Sequence, residues 1–164
     1  MDMFERLGLP GRFSVDPVVL EREYLARSRS LHPDFHQLGA AAEQAASLEL
    51  SAALNEAYTT LKNPFRRAEY LLSLEGGPTA SEIKEVPAEF LEEMLELRME
   101  IADLERDSPE AAAMEQRMKA RRDALIEQVG QLFASTDTDR LLAIRKLLNA
   151  TKYIENLLRD LRAL

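Results

Sequence analysis

"SLHPDFHQ", residues 30–37, is the stretch on which the reading of this chain turns. It holds both histidines, His32 and His36, and sets Pro33 and Asp34 between them. Proline disfavours the α conformation in the residue before it, so a helix arriving from upstream should release the chain at His32. Such a helix is written in the sequence. Asp16 can cap it, with Pro17 at its first position. Leu20, Tyr24, Ser28 and Leu31 then recur at i, i+4, i+8 and i+11, which is one helical face. Downstream, "QLGAAAEQ" (37–44) reads as a loop running into a second long helix. Its stripe is Leu50, Ala53, Leu54, Ala57, Tyr58 and Leu61. Asn63-Pro64 stops it and starts a third helix carrying Phe65, Ala68, Leu71 and Leu72, which ends at Gly76-Gly77-Pro78. The expectation is an antiparallel helical hairpin with His-Pro-Asp in its loop. Short helices flank it, the first marked by Met3, Phe4 and Leu7.

Composition agrees with helices throughout. The chain has 164 residues, 46% of them apolar, and is rich in Leu, Ala, Glu, Arg and Met, all strong helix formers. No alternating β-branched run occurs, so the expected class is all-α. The formal net charge of −8 argues against nonspecific nucleic-acid or anionic-membrane binding. Cysteine is absent, which removes disulfides, thiol catalysis and cysteine-ligated metal sites from the functions open to the chain. "MDMFERLGLP" does not resemble a signal peptide, and no apolar run approaches the ~20 residues of a membrane span. A cytoplasmic protein is the expectation.

"GGPTASEIKEVP" (76–87) clusters Gly, Pro, Thr and Ser and is the best domain boundary. We expect a first domain over 1–75, a linker over 76–84 and a second domain over 85–164. Three helical patterns follow the boundary. The first runs from about Pro87 to Asp107. The second begins at Ser108-Pro109-Glu110, a cap with proline at the first helical position. The third begins near Asp137 or Asp139. Met114, Met118, Leu125 and Leu132, then Leu141, Ile144, Leu148, Leu158 and Leu161, suit a three-helix bundle.

Residues 82–107 carry ten acidic residues against Lys84, Arg98 and Arg106. This helix has more apolar surface than one seam needs. At ~100° per residue, Phe90, Met94, Leu97, Ile101 and Leu104 fall within about 40° of one direction. Leu91 and Leu95 point roughly 100–140° away from it. Either two neighbouring helices cover both stripes, or one stripe faces a partner.

The break at residues 32–36 also admits more than one reading. His32 and Asp34 could act as an acid–base pair with His36 as a third group, but that chemistry needs a pocket and supporting residues. The chain shows no Gly-rich phosphate loop, no nucleophile elbow and no third ligand beside them. The simpler physical reading is a proline-stopped helix whose exposed backbone groups His32 and Asp34 cap.

The surrounding order adds a third. A helix with Tyr24 and Leu31, His32-Pro33-Asp34, a polar loop and then "SAALNEAYTTLKNPFRRAEYLLSLEG" (51–76) resembles a J-domain, the module that activates Hsp70-type chaperones. "FERLGLP" (4–10) matches as well. "HPDF", "EQAASLELSA" (43–52), "RRAEYLLSL" (66–74) and the block "FLEEMLELRMEI" (90–101) are similar to the HscB-type co-chaperones of iron–sulfur cluster assembly.

The resemblance implies an N-terminal J-domain and a C-terminal three-helix scaffold-binding domain, with no enzymatic activity, cofactor or bound metal of its own. It implies two partners, an Hsp70 of the HscA/DnaK kind and an IscU-like scaffold protein, and neither nucleic acid nor membrane. Hsp70 would dock on His32, Pro33 and Asp34, with Arg22 and Arg29 as a positive outer face. The scaffold would dock on Leu91, Leu95, Glu96 and Arg98. The chain departs from the family in carrying Glu92 and Met99 where Met and Glu are usual, Arg27 near an apolar position, and Asn149 in "RKLLNATKY" where an aromatic is expected. His36 has no implied role. The alternative is a generic J-protein whose C-terminal bundle serves dimerisation or targeting.

Overall fold

The computed structural model describes residues 1–31 and 41–164, and every absence stated below refers to those residues. They form seven α-helices: α1 (Met3–Arg6), α2 (Pro17–Ser30), α3 (Ala41–Lys62), α4 (Pro64–Leu74), α5 (Ala88–Ala102), α6 (Pro109–Phe133) and α7 (Arg140–Arg162). No strand occurs among them, so the chain is all-α. It divides into two compact units, Met1–Leu71 and Leu72–Leu164.

In the first unit, local sequence sets the helix limits. Asp2 and Glu5 close a reciprocal capping box around α1. The Asp16 carboxylate accepts from the Val18 N–H at the start of α2, with Pro17 at the first position. The Asn63 side chain accepts from the Arg66 N–H where α4 begins. Phe4, Leu7, Leu20, Leu54, Ala57, Leu61 and Ala68 are buried and make the core. The Tyr70 hydroxyl accepts from the Met3 N–H at 2.9 Å, which pins α1 against α4.

α2 and α3 run antiparallel. Tyr24 stacks on Tyr58 with ring centroids 4.1 Å apart, and its hydroxyl donates to Asn55 at 2.7 Å. Further along, the Ser51 hydroxyl donates to the Leu31 carbonyl. Leu50 departs from the expected stripe and is 46% exposed. Ser51 meets Leu31, the C-cap of α2, and the side chain buried one turn earlier on α3 is Ser47.

In the second unit α6 and α7 pack as a long hairpin, and α5 lies chiefly against α7. One cluster joins Phe90 and Leu97 of α5 to Met114, Met118 and Leu125 of α6 and to Ile154, Leu157, Leu158 and Leu161 of α7. α5 stops at Ala102, short of the expected Asp107. Ser108 must be extended to cap α6 (φ −79°, ψ 156°), so the chain needs a turn before it. Asp107 supplies the sharpest part at φ 58°, a conformation that Asp tolerates better than most residues. Leu104 still packs on the core from within the turn.

The segment before α5 is strapped to α7. The Asn149 side-chain amide donates to the Ile83 carbonyl at 2.9 Å and to the Glu85 carbonyl at 2.8 Å. Its oxygen accepts from Arg145 Nε at 3.1 Å, which fixes the orientation of the amide. Val86, the next residue, packs against the core.

Candidate functional site: two helix faces

The first face is the outer side of α2. Arg22 projects into solvent, with Glu23 its nearest acid at 3.9 Å, and Arg29 is also exposed. Arg27 is half-buried. Its guanidinium pairs with Glu23 one turn earlier and lies against Gly8, where a β-carbon would collide with it. Gly8 has φ +65°, so the loop after α1 uses glycine for both conformation and room. Arg27 therefore belongs to the packing of α2 on the α1 loop, and the exposed positive charges on this helix are Arg22 and Arg29. His32, Pro33, Asp34 and His36 lie outside the described residues. What the structure gives is the support that leads to them: α2 ends at Ser30, Leu31 is its C-cap, and the Ser30 hydroxyl donates to the Arg27 carbonyl.

The second face is on α5. Phe90 and Leu97 are almost wholly buried, and Met94 and Ile101 pack against the same core. The other stripe is not covered. Leu91 is 54% and Leu95 65% exposed. Met99, which sequence reasoning noted only as a departure, continues the row at 72% exposure. Its spacing of four from Leu95 was the signal available for it. Glu96 and Arg98 are exposed on either side. The Arg98 guanidinium sits 5.4 Å over the Tyr153 ring, and Tyr153 meets Phe90 edge-on at 6.3 Å. This aromatic stack holds Arg98 at the border between α5 and α7.

The packed Phe90–Leu97 stripe sets the rotation of α5, and two ion pairs are compatible with it. Glu93 accepts from Arg121 and Glu100 from Arg117, both at 2.7 Å and both across to α6. Turning α5 to bury Leu91 and Leu95 would break these pairs and expose Phe90. Asn149, at the position where an aromatic contact was expected, is instead occupied by the strap. Leu148 is buried, and Tyr153 supplies the partly exposed aromatic one turn later.

No group of three or more His, Asp or Glu side chains among the described residues is placed to hold a metal ion. The two displaced titrations fall elsewhere. Burial lowers that of Arg67, whose guanidinium lies 4.8 Å over Phe13. A hydrogen bond from Arg162 lowers that of Glu115 on α6. The two faces are exposed surfaces of different chemistry, one cationic and one apolar. No described helix is long and apolar enough to cross a membrane.

Residues 86–162 match the family described as the HSCB C-terminal oligomerisation domain. The whole chain is similar to two solved structures. Chaperone HscB from Vibrio cholerae is 28% identical, with a TM-score of 0.82, over 99% of this chain and 96% of that one. Human co-chaperone protein HscB is 26% identical, with a TM-score of 0.86, over 99% of this chain and 81% of that one.

Proposed function

We propose, taking this chain as the HscB-type co-chaperone of iron–sulfur cluster assembly that its fold and relatives make it, that it works by holding an Hsp70-type chaperone and an iron–sulfur scaffold protein at once. The chaperone, of the HscA/DnaK kind, docks on His32, Pro33 and Asp34, steered by Arg22 and Arg29. The IscU-like scaffold docks on Leu91, Leu95, Glu96 and Arg98. Residues 1–75 and 85–164 are the two working modules, and 76–84 tether them. The chain catalyses no step itself. Its contribution is to make the second encounter effectively intramolecular, so that the Hsp70 meets the scaffold at a raised effective concentration while its ATP hydrolysis is stimulated.

The observation that carries this reading is the exposed Leu91–Leu95 pair on a helix whose other face is packed and ion-paired. Two large apolar side chains presented side by side on a rigid helix are suited to fill pockets on a partner. Hsp70 ATP hydrolysis tests the whole proposal, measured with and without scaffold. His32→Gln should remove stimulation under both conditions. Leu91→Ala/Leu95→Ala should keep the stimulation given by the co-chaperone alone and lose the increment that the scaffold adds. Full stimulation by well-folded His32→Gln would refute the Hsp70 assignment. An undiminished scaffold increment in the leucine variant would refute the scaffold assignment.

The description of the matched family as an oligomerisation domain favours a second reading, in which the same apolar row seats another copy of the chain. Sedimentation of the chain alone separates the two: a dimer that Leu91→Ala/Leu95→Ala converts to monomer supports the second.

A further inference from the structure

We propose that the first unit holds a small-molecule site of its own: a cavity between the start of α2, the end of α3 and the first turn of α4, in which Arg67 and Lys62 receive the carboxylate of a short apolar acid. This site is separate from the two faces described above and does not depend on the function proposed for them.

An uncompensated charge marks the site. Arg67 Nη1 donates to the Leu61 carbonyl at 2.8 Å, which helps close the C-terminus of α3, and the guanidinium lies 4.8 Å over the Phe13 ring. Closing a helix end takes one donor, whereas a guanidinium carries five. Nε of Arg67 is the one side-chain nitrogen or oxygen among the described residues that is buried without a hydrogen bond. No ion pair among the described residues engages this side chain. A cation drawn partly out of water without a counter-charge is costly, and burial accordingly lowers the titration of Arg67. An anion beside the guanidinium would offset that cost.

Arg67 lines a cavity of about 140 Å³, which has room for a small molecule. Lys62 lines it too, with its ammonium 5.4 Å from the centre of the Tyr58 ring, and it likewise has no acidic partner among the described residues. Val15, Leu20 and Tyr58 supply apolar walls. Two cations beside hydrocarbon suit a ligand with an anionic head and an apolar body. The planar fork of a guanidinium matches a carboxylate, and apolar walls favour a short hydrocarbon chain over an oxyanion that is polar all round. The third charged residue on the cavity is Glu21, which is exposed and unpaired. Its negative charge opposes a second carboxylate, so the occupant is a monoacid.

The test is an NMR titration of the full chain with sodium butyrate, sodium acetate and inorganic phosphate, each at constant ionic strength made up with sodium chloride, following the Arg67 Nε–H resonance. Butyrate should shift that resonance saturably. Acetate, shorter by two methylenes, should bind about tenfold more weakly, as the loss of two buried methylenes predicts. Phosphate should also bind more weakly than butyrate. Lys62→Gln should weaken butyrate binding severalfold, and Glu21→Gln should tighten it. Both residues are exposed, so both variants should melt like the parent.

If butyrate leaves the Arg67 resonance unmoved, or moves it without saturation, the site does not exist. If acetate or phosphate binds as tightly as butyrate, the cavity does not select an apolar acid. If neither Lys62→Gln nor Glu21→Gln changes the affinity for butyrate while both fold like the parent, the ligand binds elsewhere and the assignment to this cavity falls.

Discussion

Asn149→Ala should be among the most damaging single polar changes in the second unit. The Asn149 amide makes two hydrogen bonds to backbone carbonyls, of Ile83 and Glu85, and accepts one from Arg145. A neutral hydrogen bond contributes about 0.5–1.5 kcal/mol net and one to a charged group about 1.5–3 kcal/mol. All three share one side chain and are not additive, so the expected cost is about 2–4 kcal/mol. For a cooperative unit of 60–100 residues each kcal/mol lowers the melting temperature by about 4–8 °C, which puts the expected drop at about 8–32 °C. Asn149→Asp separates the contributions. It keeps an acceptor for Arg145 but presents carboxylate oxygens to two carbonyls, so the strap is lost while the Arg145 bond is strengthened. Thermal unfolding followed by circular dichroism gives the stability. Hydrogen exchange should show faster exchange at residues 83–86 in both variants. An Asn149→Ala protein that melts within about 3 °C of the parent, well below the expected shift, would refute the strap as a stabilising element.

Other outcomes follow from the same geometry. Leu97→Ala, at a position only 5% exposed, should cost about 2–5 kcal/mol, whereas Leu91→Ala/Leu95→Ala should cost under about 1 kcal/mol. Equal losses in thermal melts would contradict the division of α5 into a packed and a free face. On α6, the hydrogen bond from Arg162, with Lys119 nearby, holds the Glu115 carboxyl below the ordinary glutamate range. A carboxylate depressed in this way contributes stability above its unfolded pKa and loses it as the pH falls through its folded value, so the effect is complete at neutral pH and disappears in acid. Arg162→Gln should move the Glu115 titration, followed by carboxyl NMR, back up toward the ordinary range; an unmoved titration would contradict the assigned cause.

Helix starts were legible because they are local. Asp16-Pro17, Asn63-Pro64 and Ser108-Pro109 each place a polar cap directly before proline, and each begins a helix. The two stripes of α5 were legible as angles, and their fates were not. Whether a second stripe is covered depends on where α6 and α7 run, which helical periodicity alone does not encode. The Arg121–Glu93 and Arg117–Glu100 pairs that join α5 to α6 link residues 28 and 17 positions apart. Leu50 suits the stripe by its spacing and is nonetheless exposed, while Ser47 a turn before it is buried. The role of Asn149 was hidden because its partners are carbonyls 66 and 64 residues away, and backbone acceptors leave no mark on a side-chain pattern. The end of α5 was misplaced by the helix-forming residues 103–106, which the following cap overrides.

The way α5 is attached bears on how its face would be observed at work. α6 and α7 are joined along their lengths as a hairpin, while α5 buries only Phe90 and Leu97 fully in the shared cluster and adds two ion pairs to α6 at its edge. Elements with fewer buried partners open at lower free energy than the unit as a whole. The helix proposed to meet the scaffold is thus the part of the bundle whose amides are expected to exchange first. Occupancy should close those openings, so that protection of α5 amides reports binding while the α6–α7 hairpin, already slow to exchange, serves as an internal reference.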